Sequence, residues 1–135
     1  MPAEDAKDSE HADLPLALTP VAIVKRNDDQ PHQCIEVFPE FSEALLGVDD
    51  LAHLTVLYWM HRLKPEERRR LQVHPRGDRT RPRRGVFALR SPMRPNPIGV
   101  TTVTLVRRES LCLYVEGLDA LDGAPVLDIK HGRVE

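Results

Sequence analysis

The chain has 135 residues, 41% of them apolar and 30% charged, which suits one soluble globular domain around a single core and leaves little room for a second. No apolar run approaches the roughly 20 residues that span a bilayer. The acidic start, MPAEDAKDSEHADLPLAL, lacks the basic opening and apolar centre of a signal peptide, so the expected location is the cytoplasm. The net charge of −2 conceals a division. Positions 62–94 hold 12 Lys/Arg against three acids, a net of +9, while the remainder holds seven basic and 18 acidic residues, a net of −11. Such asymmetry points to a basic face for a polyanion, with a flexible, solvated charged loop as the plainer alternative.

In chain order, residues 1–14 read as a disordered acidic leader and 15–135 as the folded domain. LALTPVAIVKR (16–26) is β-branched enough for a first strand, and CIEVFPE (34–40) for a second, ended by Pro39. FSEALLGV (41–48) has helical spacing of Phe41, Ala44, Leu45 and Val48. LAHLTVLYWMH (51–61) reads as a strand whose apolar residues fall on both parities, which predicts cover on both faces; His53 reads as a core histidine. KPEERRRLQ (64–72) predicts one or two helical turns with Pro65 at the first position. VHPRGDRTRPRR (73–84) is a loop and GVFAL (85–89) a short strand. GVTTVTLVRRESLCLYVEGL (99–118) predicts an antiparallel hairpin, and DALDGAPVLDIK (119–130) a turn at Asp122-Gly123 followed by a last strand.

Short strands at close spacing, 12 prolines and little helix predict a mainly β fold, a small antiparallel β-barrel with one or two short helices. No phosphate-binding glycine loop occurs. Cys34 and Cys112 are far apart with no CxxC partner, and the six histidines are scattered, so two unpaired thiols and no metal site are expected. Tyr58, Trp59 and Phe87 are expected in the core, which leaves little aromatic surface for stacking bases.

RSPMRPNPIG (90–99) is the most constrained stretch. Pro92, Pro95 and Pro97 fix their own φ and push Ser91, Arg94 and Asn96 toward extended conformations. Such a loop predicts Arg90, Arg94 and Asn96 held in set directions for a ligand; the alternative is a rigid barrel corner.

GVFALRSPMRPNPIG (85–99) resembles the GVFATRSP-x-RPNPIG signature of the TsaA-like, or TrmO, family. GLDALDGAPVLDIK (117–130) resembles that family's D-x-x-DGTPVLDIKPY segment, and LAHLTVLYWMHR (51–62) its FSHLWVLYWFH strand. The resemblance covers residues 21–130 and implies a short, single-domain S-adenosylmethionine-dependent methyltransferase on a β-barrel. It further implies a homodimer that N6-methylates the modified adenosine beside the anticodon of tRNA. By the same resemblance His61, Arg62, Arg90, Gly99, Val100, Leu118, Asp119, Ala120, Leu121 and Asp122 are implied at the cofactor. Arg94, Asn96 and Lys130 belong to the wider pocket, and Asp119, Asp122 and Asp128 are carboxylates able to take the amine's proton. Asp128 and Lys130 could equally form a same-face ion pair. Arg68, Arg69, Arg70, Arg76, Arg79, Arg81, Arg83 and Arg84 are the expected phosphate contacts to an anticodon loop. No metal and no membrane are expected. The first loop, KRNDDQPHQC (25–34), is shorter than the family's and lacks its Pro-Arg-Gln; DGAP stands for DGTP, and IKHG for IKPY. Two other readings stay open: a methyltransferase of another RNA or of a small molecule, and a non-enzymatic RNA-binding module.

Overall fold

A computed structural model describes residues 16–133. The leader expected over residues 1–14 lies outside them. Eight strands form: β1 (Ala22–Lys25), β2 (Gln33–Val37), β3 (His53–Trp59), β4 (Gln72–Val73), β5 (Arg84–Gly85), β6 (Ile98–Glu109), β7 (Cys112–Glu116) and β8 (Pro125–His131). Six of them close a barrel in the order β1-β2-β7-β6-β3-β8, every pairing antiparallel, with β8 returning to β1. Closure leaves no free edge to template further pairing.

Period-2 alternation fills the interior. Leu54, Val56 and Tyr58 of β3 point inward and are buried with Val24, Ile35, Val103, Leu113, Val115 and Val126. The alternate residues His53, Thr55, Leu57 and Trp59 are half-buried on the outer wall. Cover on both faces of β3, expected from its mixed parity, is therefore corrected: only the inner face is closed, and His53 is an outer-wall residue.

Other elements are shorter than their sequence suggests. The first strand is only Ala22–Lys25, because Pro20 carries no amide hydrogen for a ladder. The expected helix at 41–48 is 3-10 instead, Pro39–Leu45 and Val48–Asp50, broken by Gly47 at φ 86°. It covers one barrel mouth, held there by Arg108, which donates to the Asp49 carboxylate at 3.1 Å. Pro65–Arg68 forms α1, as Pro65 predicted. GVFAL is not a strand: Gly85 ends β5, and Val86–Ala88 make a 3-10 turn that leaves Phe87 85% exposed. The expectation that Phe87 lies in the core fails because the turn rotates Val86, 2% exposed, inward in its place.

Cys34 and Cys112 are joined as a disulfide, with Cα atoms 5.9 Å apart. The expectation of two unpaired thiols is corrected. Cys34 faces Tyr114 and Glu36 faces Cys112 across β2 and β7, so the two cysteines are diagonal neighbours despite a sequence separation of 78.

Gly99 shows how tightly the barrel is built. A Cβ there would lie 2.3 Å from Cε2 of the Tyr58 ring. Gly99→Ala must displace that ring, which is expected to cost about 2 kcal/mol and lower the melting temperature by roughly 10 °C. Thermal denaturation checks this, and adding Tyr58→Leu should recover part of the loss; an unchanged melt would refute the packing argument.

Candidate active site

Antiparallel order collects at one barrel mouth the ends of β1, β3 and β7 and the starts of β2, β6 and β8. The loop 117–124, the segment after β3 and the end of the proline-rich loop therefore converge there. The 3-10 segments Pro39–Leu45 and Val48–Asp50 cover the opposite mouth.

Loop 117–124 is fixed through its backbone. Tyr58 donates its hydroxyl to the Asp119 carbonyl at 2.6 Å and lies 3.0 Å from the Thr101 hydroxyl. The Arg26 guanidinium donates to the carbonyls of Leu118 (2.9 Å) and Ala120 (3.1 Å), and the Arg26 amide donates to the Asp122 carboxylate at 2.8 Å. Three consecutive carbonyls are thus pinned. Leu118 (3% exposed) and Ala120 (6%) point inward, so Asp119 and Leu121 must point out of the mouth. Gly123, at φ 85°, completes the turn, and a Cβ on it would stand 3.7 Å from His61 Nε2. His61 is exposed beside that turn, with Arg62 next to it.

The three carboxylates differ in what holds them. Asp122 caps the Arg26 amide. Asp128 accepts from the Ile129 amide at 2.9 Å and pairs with Lys130 at 3.0 Å on the outer wall, opposite Leu57. Asp128 and Lys130 thus form the same-face pair, away from loop 117–124. Among the described residues, nothing pairs with the Asp119 carboxylate.

The proline-rich loop is held from within. Arg94 donates to the carbonyls of Leu89 (3.2 Å) and Ser91 (2.9 Å), which shapes the loop. Pro97 is fully buried and its carbonyl accepts from the Met60 amide at 2.8 Å, which ties the loop to the end of β3. Asn96 is exposed. Arg68 lies 5.1 Å above the Trp59 ring and donates to the Pro95 carbonyl at 3.0 Å, bracing the same loop. Gly99 is occupied with packing against Tyr58, and Val100, 43% exposed, lies on the outer wall opposite Leu57.

Arg90 lines a second feature, an open groove of about 1790 Å³ shared with Arg69, Arg70, Arg76, Arg79, Arg81, Arg83 and Arg84. Its loop is ordered by short contacts: His74 Nδ1 meets the Arg81 carbonyl at 2.8 Å, and Arg81 pairs with Asp78 at 3.6 Å. Thr80 donates its hydroxyl (2.6 Å) and its amide (2.9 Å) to Asp78, and these bonds, with the nearby His74, hold the Asp78 carboxyl below its ordinary value. A depressed carboxyl stabilises the loop above the unfolded-state value and ceases to do so as pH falls through the folded one. The Thr80 amide resonance is expected to shift with a midpoint below that of a free aspartate. Asp78→Asn should abolish the transition; a midpoint at the free value would refute the bond.

Among the described residues, no group of three His, Cys, Asp or Glu side chains could hold a metal, and no helix is long and apolar enough to cross a membrane.

Residues 21–131 match the family model for the tRNA-methyltransferase O N-terminal domain. The chain belongs to that family. A probable S-adenosyl-L-methionine-binding protein of Methanothermobacter thermautotrophicus is 42% identical over 131 residues, 88% of this chain and 91% of the relative. One from Methanocaldococcus jannaschii is 40% identical over 114 residues, 84% and 89% of the two chains. The crystal structure of TrmO from Pseudomonas aeruginosa superposes with a TM-score of 0.66 at 28% identity, covering 89% of this chain. This chain spans only 57% of that TrmO chain. The mainly β closed barrel is thus the TrmO barrel, a methyltransferase fold.

Two of the residues that build the mouth, Arg26 and Tyr58, carry little mark of their roles in the sequence. Both act on backbone carbonyls, which any residue type supplies. A terminal arginine after a β-branched strand was the one available signal for Arg26.

Proposed function

We propose that this TrmO-family barrel is an S-adenosylmethionine-dependent methyltransferase that acts in the cytoplasm on N6 of an adenosine beside the anticodon of tRNA. The observation that carries the reading is the pinned loop 117–124, which holds the unpaired Asp119 carboxylate at a mouth shared with His61, on a barrel that also carries an arginine-lined groove.

The donor set suits that cofactor. Asp122 is an acceptor for an ammonium or for ribose hydroxyls, exposed Leu121 offers apolar surface to a purine, and Arg62 and Arg90 are cations for a carboxylate. When bound, S-adenosylmethionine supplies an already activated methyl group, so the protein's task is chiefly alignment. Arg26 and Tyr58 perform it by fixing the loop backbone before any ligand arrives. The Asp119 carboxylate takes the proton that N6 loses. Six groove arginines, Arg69, Arg70, Arg76, Arg79, Arg83 and Arg84, hold phosphates and set the orientation of an unpaired loop. Arg68 and Arg81 serve structure instead, through Trp59 and Pro95 and through Asp78.

A homodimer accompanies this reading. Leu57, Trp59, Ile98 and Val100 form an apolar strip on the outer wall of β3 and β6, with Ile98 39% exposed. Val100 lies on that strip, while Arg90 lies in the groove.

The test combines calorimetric titration of S-adenosylmethionine with transfer of labelled methyl into tRNA, using the chain and an Arg90→Ala variant. Saturable binding weakened by the substitution, with label in an N6-methylated adenosine, is expected. Cofactor binding without label in tRNA would move the acceptor to another RNA or a small molecule. Salt-sensitive RNA binding without cofactor binding would leave a binding module.

A further inference from the structure

We propose that Phe87 is a stacking platform for an unpaired base of the RNA held in the arginine groove; this rests on the RNA-acceptor reading above. Of the six aromatic side chains, all within the described residues, Phe87 alone is fully open, at 85% exposure; the other five are buried or half-buried. It stands on the 3-10 turn Val86–Ala88, between Arg84 of β5 and the groove wall that begins at Leu89. The turn is anchored. Val86 is buried, its amide donates to the Leu71 carbonyl at 2.9 Å, and its carbonyl accepts from the Leu89 amide at 3.1 Å. The ring is therefore presented from a fixed backbone, so little order has to be imposed when a ligand arrives.

Its surroundings select the ligand. Arg83 and Arg84 precede it and Arg90 follows it, all lining the groove, so phosphates gripped there bring their bases past the ring. A π face accepts any base, and aromatic rings interleaved with cations are how single-stranded nucleic acid is held without reading its sequence. A second copy of the chain, which would bring its acidic remainder of net −11 to this segment, is the competing occupant, and the experiment below separates the two.

Fluorescence anisotropy decides the point, with a labelled RNA stem–loop that has an unpaired loop and a fully paired duplex of equal length. Phe87→Ala is expected to weaken stem–loop binding roughly tenfold, leaving duplex binding and the slope against salt unchanged. Phe87→Trp should restore the affinity. Phe87→Leu, which keeps apolar area but no π face, should remain weak and should fail to quench 2-aminopurine placed in the loop. The exposed position predicts unchanged thermal melts for all three. Wild-type affinity and quenching in Phe87→Leu would overturn the proposal. So would a fall in sedimenting mass in Phe87→Ala, which would reassign the ring to a subunit contact. Failure of the unaltered chain to bind either RNA would overturn the RNA reading itself, and this proposal with it.

Discussion

Asp119→Asn is expected to lower the rate of methyl transfer by about a hundredfold or more, the usual contribution of a positioned proton acceptor, while cofactor affinity changes only a few-fold. Asparagine keeps the shape and removes the basic oxygen, so the loss should fall on kcat. The expectation follows from how the three carboxylates are used. Asp122 caps the Arg26 amide and Asp128 is engaged by Ile129 and Lys130. Only Asp119 combines a free carboxylate with a carbonyl pinned at 2.6 Å by Tyr58. Asp122→Ala should behave differently, loosening the loop and weakening cofactor binding and turnover together. Single-turnover methylation beside calorimetric titration separates the two. Full kcat in Asp119→Asn would remove this carboxylate from the chemistry.

What the sequence could convey was whatever depends on local pattern. The β6–β7 hairpin, the strand of β3 and the stiffness of the proline-rich loop all follow from alternation and proline chemistry. The family motifs point to segments that the fold gathers, since His61, loop 117–124 and the end of the proline-rich loop converge at one mouth. What stayed hidden depends on partners distant in the chain. The Cys34–Cys112 pair exists because β2 lies beside β7, and no spacing rule announces that neighbour. Arg94 and Arg68 look like ligand groups in a list of charges, yet each satisfies carbonyls of the loop it accompanies. Phe87 misled for the opposite reason: an aromatic between apolar residues implies a core strand, but a single 3-10 turn turns Val86 inward and Phe87 outward.

The arginine groove makes the second large prediction, and its size can be reckoned from charge alone. Each phosphate contact to a single strand contributes about 0.7 to the slope of log affinity against log salt. Replacing Arg69, Arg70, Arg83 and Arg84 with alanine should therefore flatten the slope by about 2.8, and at 0.15 M salt weaken RNA binding by roughly two hundredfold. These four line the groove, and no carboxylate among the described residues pairs with them, so their charge is available to phosphate. Arg68→Ala should contrast with them. Its guanidinium stacks on Trp59 and holds the Pro95 carbonyl, so its removal should loosen the proline-rich loop and cost stability while leaving the salt slope nearly unchanged. Binding isotherms at several salt concentrations distinguish the two sets. A quadruple variant that keeps the wild-type slope would mean that the net +9 segment is a solvated surface and that RNA, if bound, is held elsewhere on the barrel. A flattened slope with intact cofactor affinity would separate the two tasks physically, with acceptor capture in the groove and methyl transfer at the mouth built by Arg26 and Tyr58.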